Sequence, residues 1–175
     1  MEKVKNLIRD VKDFPKPGII FKDITPILND PIAFKAVIDE FVKSIGKKKI
    51  DRIVGIESRG FIFGAPLAER LGAGFVPARK PGKLPSKTIK ESFALEYGKD
   101  CLELHKDSIN PGESVIIIDD LLATGGTMEA AVKLVTRLEG KIEKILFLIE
   151  LSFLHGNKKL LINGKAIPYK ALITY

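Results

Sequence analysis

The chain has 175 residues, 45% of them hydrophobic and 29% charged, and 29 Lys plus Arg against 22 Asp plus Glu leave a net charge of +7. That length suits one packed domain over residues 1–175, and 15 Gly and 10 Pro without a polar tract or short repeat fit neither a disordered linker nor a solenoid. One cysteine, Cys101, and two histidines, His105 and His155, exclude a disulfide framework and a thiolate zinc site. No run approaches the ~18 apolar residues of a membrane span. The opening Met-Glu-Lys-Val-Lys-Asn lacks a signal peptide's apolar stretch, so a cytoplasmic location with no membrane partner is expected. The basic balance, pI about 9.4, is compatible with nucleic acid, an anionic membrane or a polyanionic small substrate. Only six of the basic residues are arginines, the forked donors suited to bidentate phosphate contacts: Arg9, Arg52, Arg59, Arg70, Arg79 and Arg137.

Residues 14–28 carry three Pro and a Gly among apolar residues, which predicts an ordered, non-regular segment. Asp30 followed by Pro31 signals a helix start, and Phe34, Val37, Ile38, Phe41, Val42 and Ile45 recur at helical spacing up to Gly46. The Lys47–Lys49 run that follows reads as charge placed in solvent at a helix C-terminus. Ile50 to Ile56 predicts a strand, then a Glu57-Ser58-Arg59-Gly60 turn, a helix of small residues to about Leu71, and a second strand from Phe75 to Ala78. From Arg79 to about Asp100 the chain is polar, Lys-rich and punctuated by Gly82, Pro85 and Gly98. This predicts a functional loop or lid with little apolar burial. Val115 to Ile118 predicts a strand buried on both faces that runs into Asp119 and Asp120. A helix from about Gly126 to near Gly140 and a buried strand from Ile145 to Ile149 complete the alternation. The expected fold is α/β, a central, mostly parallel sheet flanked by helices.

Residues 115–127, Val-Ile-Ile-Ile-Asp-Asp-Leu-Leu-Ala-Thr-Gly-Gly-Thr, carry the chemistry. A buried parallel strand delivers two carboxylates to its C-terminal edge, where open α/β sheets bind ligands. Ala123, Thr124, Gly125, Gly126 and Thr127 then bring backbone N–H groups and two hydroxyls to a helix N-terminus, an anion cradle suited to a phosphate monoester. Carboxylates beside such a cradle make sense when the ligand carries hydroxyls next to its phosphate, as a sugar phosphate does. Competing phosphate motifs are absent: every Gly-Lys dipeptide lacks the following Ser or Thr of a P-loop, and no strand is followed by a dinucleotide glycine fingerprint.

This stretch resembles the signature of type I phosphoribosyltransferases. Phe14 to Leu28, Gly55-Ile-Glu-Ser-Arg-Gly-Phe-Ile-Phe-Gly64, Arg79-Lys-Pro-Gly-Lys-Leu-Pro85 and Leu95-Glu-Tyr-Gly-Lys99 resemble the adenine-using members, in order, with the likeness weakening after about Leu151. The resemblance implies purine salvage: adenine and 5-phosphoribosyl 1-diphosphate converted to AMP and diphosphate by a homodimer, with Mg²⁺ held mainly by substrate oxygens and water. It implies a hood at about residues 1–30 and a flexible lid at about 80–100. It puts the 5-phosphate on Ala123 to Thr127 and the ribose hydroxyls on Asp119 and Asp120. The diphosphate is assigned to Glu57, Ser58, Arg59, Lys80, Lys83 and an Arg79 from the neighbouring subunit, with a cis peptide at Glu57–Ser58. Adenine is placed between Phe21 and Leu121, its edge read by main-chain groups of Ile20 and Lys22. Glu96, with Arg59 and Arg79, is assigned to the catalytic group, near the imidazole edge of the base.

Other readings leave marks that can be checked. Ser58, Asp119 or Asp120, and His155 follow the order of a hydrolase triad, but Ile56 stands where a nucleophile elbow needs Gly, and Arg59 suits an anion better. Both histidines are expected at the surface, Cys101 as an unremarkable thiol, and Phe61 and Phe63 in the core. A regulator that senses phosphoribosyl diphosphate and binds DNA would need a winged-helix module and a recognition helix, neither evident here, so no nucleic-acid partner is expected. A transferase for hypoxanthine, guanine or xanthine would need a donor aimed at the six-position oxygen. The Phe21 segment and Leu95-Glu-Tyr fit adenine better.

Overall fold

The computed structural model describes residues 1–95 and 98–175, and the side chains of all of these except 94, 95, 98 and 99. The N-terminal part holds helix α1 (Glu2–Lys5), an antiparallel hairpin of β1 (Arg9–Lys12) and β2 (Ile20–Asp23), and helix α2 (Thr25–Asn29). Ion pairs Arg9–Asp23 at 2.6 Å and Lys22–Asp10 at 2.7 Å join the two strands. The expected irregular stretch over 14–28 is therefore partly regular. Its prolines forbid a long helix, but Pro26 sits in the first turn of α2, where no intrahelical N–H bond is lost.

Helix α3 (Pro31–Ile45) begins as its sequence predicts: the Asp30 carboxylate accepts from the amides of Ile32 and Ala33 at 2.9 and 3.0 Å. Gly46, at φ 77, ends it. Strand β3 (Arg52–Ile56), helix α4 (Arg59–Leu71) and strand β4 (Gly74–Ala78) follow, then β5 (Thr88–Leu95), β6 (Gly98–His105), β7 (Ser114–Leu122), helix α5 (Gly126–Arg137) and β8 (Lys141–Glu150). Two 3₁₀ turns, Ser152–Leu154 and Gly156–Lys159, precede β9 (Leu161–Ile162), β10 (Lys165–Ala166) and β11 (Tyr169–Thr174). The main sheet has the order β11-β8-β7-β3-β4, with every neighbouring pair parallel.

Strand β7 lies in the middle. Because successive side chains point to opposite faces, Val115 and Ile117 enter the core beneath α5, while Ile116 and Ile118 enter the core beneath α3 and α4. The strand runs further than its β-branched stretch suggests: Asp119 and Asp120 lie inside it, and Asp119 pairs in register with Phe147 of β8.

The segment after Arg79 departs most from expectation. Thr88–Leu95 and Gly98–His105 pair as the antiparallel strands β5 and β6, and against the expected scarcity of apolar burial they bury apolar side chains. Leu102 and Leu104 are buried, and Ile89 and Phe93 pack against the same core as α5. Glu91 and Asp100, which share a face with Ile89, Phe93, Leu102 and Leu104, masked this pattern. At its root, Arg79 and Glu103 exchange backbone hydrogen bonds at 3.0 and 2.7 Å. Lys48, in the basic run after α3, pairs with Glu143 at 2.6 Å and remains mostly exposed. Among the described residues no helix is long and apolar enough to cross a membrane.

Phe63 of α4 is fully buried, with its ring 5.9 Å from that of Phe34 and 6.2 Å from that of Phe41. Phe63→Ala is expected to lower the unfolding free energy by about 3–5 kcal/mol. Asp30→Ala, which removes a cap but leaves no cavity, should cost about 1 kcal/mol. Denaturant unfolding monitored by circular dichroism would reverse this ranking if the α3–α4 contact were peripheral.

Candidate active site

The C-terminal ends of β3 and β7 open on a cavity of about 390 Å³. Ile56 to Arg59 line it from the β3–α4 turn, Asp119 to Leu121, Ala123 and Thr127 from the β7–α5 turn, and Lys80, Phe93, Asp100 and Leu102 from the hairpin side. A smaller recess of about 70 Å³ adjoins it and shares Asp119, Leu121, Ala123 and Thr127, adding Thr124, Gly125 and Gly126. Gly125, at φ 79, is the N-cap of α5 and contributes no side-chain hydrogen bond. Unlike α3, helix α5 has no capping side chain from its N-cap to take its first amides, and those amides face a recess the size of one tetrahedral oxyanion.

Asp119 and Asp120 stand side by side at the junction of the two cavities. The Asp119 Oδ1 accepts the Asp120 amide at 2.9 Å. Burial, and then the neighbouring Asp120 charge, push the Asp119 carboxyl well above its usual range. Asp120 is 4% exposed, and its carboxyl is raised by burial, with the Arg59 guanidinium opposing. Arg59 Nη2 lies 3.0 Å from Asp120 Oδ2, yet that oxygen accepts no aligned hydrogen bond. The pair is thus under-satisfied, as a site awaiting hydroxyl donors would be. Gly60 makes this approach possible: a Cβ there would lie 2.8 Å from the Ile118 carbonyl and 3.2 Å from Asp119 Oδ1.

The peptide Glu57–Ser58 is cis, at the position the family resemblance implies. Glu57 gathers cations from the root of the hairpin. Lys83 Nζ donates to Oε1 at 2.6 Å, Arg79 donates to both carboxylate oxygens at 3.2 and 3.3 Å, and the Lys80 amide donates at 3.0 Å. Burial works against the charge on Glu57, but these donors outweigh it and hold its carboxyl at about 2. Lys80 Nζ itself pairs with Asp100 at 2.9 Å.

The structure therefore brings together Glu57, Ser58, Arg59, Lys80, Asp119, Asp120, Leu121 and the loop from Ala123 to Thr127. Arg79 and Lys83 lie behind Glu57, outside the cavity lining, and Arg79 also covers the Phe61 ring at 5.9 Å. Ile20, Phe21 and Lys22 are outside that lining as well. The Phe21 ring carries the Arg59 guanidinium 4.9 Å above it, Ile20 is exposed, and Lys22 turns toward Asp10 and the Tyr175 ring, 3.8 Å from its centre. Glu96 lies outside the described residues. Phe61 is half-buried against Phe75 rather than fully in the core. His155 is exposed and does not line the cavity, so no triad forms around Ser58. Sequence reasoning missed Phe93, Asp100 and Leu102; the signal for Phe93 and Leu102 was an apolar alternation interrupted by Glu91 and Asp100.

The Phosphoribosyl transferase domain family model matches residues 23–161. The curated adenine phosphoribosyltransferase of Thermoanaerobacter sp. (strain X514) is 56% identical over 160 residues, 91% of this chain and 92% of the relative. The crystal structure of adenine phosphoribosyltransferase from Thermoanaerobacter pseudethanolicus superposes with a TM-score of 0.94 at 52% identity, covering 99% of both chains. That of the Saccharomyces cerevisiae enzyme, complexed with an imino-altritol bisphosphate and adenine, gives 0.92 at 43% identity, over 98% of this chain and 97% of the other. With its parallel sheet, its cis peptide and its acidic pair beside an open helix N-terminus, this chain belongs to the adenine phosphoribosyltransferase family of type I phosphoribosyltransferases.

Proposed function

We propose that this chain transfers the phosphoribosyl group of 5-phosphoribosyl 1-diphosphate to adenine, forming AMP and diphosphate in purine salvage. The observation that carries the residue roles is the juxtaposition of the Asp119–Asp120 pair with the recess at the start of α5. A phosphate on the amides and hydroxyls of Ala123 to Thr127 sets the ribose hydroxyls beside the two carboxylates. The diphosphate then falls at the Glu57–Arg59 turn, near Arg59, Lys80 and Lys83.

In the reaction a nitrogen of adenine bonds to the anomeric carbon as the carbon–oxygen bond to diphosphate breaks, through a sugar with oxocarbenium character, and the imidazole N–H proton of the base is released to the departing diphosphate or to water. Asp119 and Asp120 accept from the ribose hydroxyls and stabilise the developing cation, which offsets the cost of their own burial. Arg59 serves the departing diphosphate, and the loop amides hold the sugar in line. The β5–β6 hairpin, which presents Phe93 and Leu102 to the cavity, forms the lid that excludes water, with Glu96 at the imidazole edge of the base. Adenine lies between Leu121 and Phe21, beside the main chain of Ile20 and Lys22, once Arg59 turns from the Phe21 ring to the diphosphate. Among the described residues no cluster of three or more His, Cys, Asp or Glu is placed to hold a metal ion. Mg²⁺ would enter with the substrate, held mainly by substrate oxygens and water. Its chemistry is neutralisation of the leaving group. We place the reaction in the cytoplasm.

Diphosphate release with each purine in turn tests the reading: adenine should be used at least about a hundredfold more efficiently than hypoxanthine or guanine. Comparable turnover of an oxopurine would move the assignment to that base. Asp119→Asn should lower kcat/KM by about 10- to 1000-fold while making the ligand-free protein more stable near pH 7. A carboxyl with a raised folded pKa contributes its full stability below its unfolded value of about 3.9 and loses it as pH rises through the folded value. The gain should therefore vanish in acid. Thermal unfolding at several pH values measures it, and a variant that is less stable at neutral pH contradicts the electrostatics.

Arg79 stands outside the cavity lining of its own chain, which supports its acting on the diphosphate of a partner in a homodimer. Arg79→Ala and the double variant Thr124→Ala/Thr127→Ala should each be nearly inactive. Refolded together in equal amounts, they should recover about a quarter of wild-type activity, since half the dimers are mixed and each has one intact site. No recovery in demonstrated mixed dimers would assign Arg79 to its own subunit.

A further inference from the structure

The segment after β8 leaves the sheet and crosses behind the β7–α5 loop. It is tied at one end by the Leu151 amide, which donates to the Leu122 carbonyl at 2.9 Å, and at the other by Leu160, which is buried in the core beneath α5. Between these anchors its residues face solvent, and Phe153 is 64% exposed. Gly156 alone among residues 152–159 is buried. It has no side chain to contribute to a core, so its burial is a contact of backbone with backbone.

That contact falls on the loop that forms the smaller recess. A Cβ on Gly156 would collide with the Ala123 carbonyl oxygen and lie 2.9 Å from the Gly125 nitrogen. A Cβ on Gly125 would in turn collide with the Gly156 carbonyl oxygen and lie 3.2 Å from its Cα. These neighbours are main-chain atoms in two anchored segments, so neither can swing aside as a long side chain would. Gly125 is also at φ 79, so its place in the loop excludes other residues on two separate grounds. Two glycines thus face each other across a distance that no other residue pair fits.

We propose that Gly156 is a positioning residue for the 5-phosphate: its bare backbone supports the Ala123–Gly125 segment from behind and sets the curvature that points the loop amides into the recess. The inference rests on the reading of Ala123 to Thr127 as the phosphate cradle and extends the site to the tail of the chain. A displacement of the loop by even part of an ångström would be felt by the phosphate group and not by the base, which lies toward Leu121 and the hood.

In Gly156→Ala the KM for phosphoribosyl diphosphate should rise by about tenfold or more, while the KM for adenine changes by less than about twofold and kcat by less than about threefold. The dissociation constant of ribose 5-phosphate, measured by calorimetry, should rise in parallel. Gly164→Ala is the control. Gly164 is also at positive φ, 75, but a Cβ there meets nothing within 4 Å, so it should lose stability with both KM values unchanged. Equal changes in both KM values, or an unchanged ribose 5-phosphate affinity, would overturn the proposal. If Gly156→Ala does not fold, amide exchange in the wild type decides. Ribose 5-phosphate should slow exchange at residues 154–158 together with 123–127 and leave 162–166 alone, and no effect at 154–158 would refute the coupling. A wild-type protein that neither makes AMP nor binds ribose 5-phosphate would fail the functional reading itself, a different result from normal turnover with an indifferent Gly156.

Discussion

Burial of β7 on both faces is the constraint on which the other features depend. Four β-branched residues, Val115 to Ile118, divide between two cores, and a strand held this way has no freedom to slip or turn. The residues that follow, Asp119 and Asp120, are carried into a position that solvation alone would never select. The cost of that placement appears in their raised carboxyls and in the unsatisfied Asp120 Oδ2. In the proposed reaction a ligand with hydroxyl donors and a cationic transition state would relieve it, so the same arrangement that weakens the empty fold would serve the chemistry.

Beyond the pair, ion pairing takes up every arginine and several of the lysines. Each of the six arginines, all among the described residues, makes an ion pair with a carboxylate: Arg9 with Asp23, Arg52 with Glu113, Arg59 with Asp120, Arg70 with Asp39, Arg79 with Glu57 and Arg137 with Glu91. Surface pairs of this kind contribute little to stability. Two of the six stand at the cavity or its rim, where Asp120 and Glu57 hold them against buried carboxylates. The excess positive charge resides mainly on lysines.

The tail after β8 touches two distant parts of the fold. Gly156 lies against the Ala123–Gly125 loop, and Tyr175 reaches the β1–β2 hairpin. The Tyr175 amide donates to the Glu150 carbonyl at 2.9 Å, and its carbonyl accepts from the Ser152 amide and hydroxyl at 3.0 and 2.6 Å. Its ring then receives Lys22 of β2 at 3.8 Å and Lys5 at 4.9 Å. The hood hairpin is thereby tied to the end of the central sheet rather than only to the chain that leads into α3.

Local chemistry was legible in the sequence. The Asp30–Pro31 helix start, the buried run before Asp119 and the glycine-bearing loop opening α5 depend on residues within a turn or a strand of one another, and each was recovered close to where it lies. Resemblance placed the cis peptide at Glu57–Ser58. Tertiary structure alone decided the rest. The β5–β6 hairpin escaped because its apolar alternation is interrupted by Glu91 and Asp100 and becomes apolar burial only against α5. Glu57, expected as part of a diphosphate site, lines the cavity and also gathers Arg79 and Lys83, contacts that no local pattern announces. The contact of Gly156 with Ala123 and Gly125 joins segments distant in sequence through main-chain atoms. Side-chain patterns encode which residues enter a core, and they carry no signal for where two bare backbones must meet.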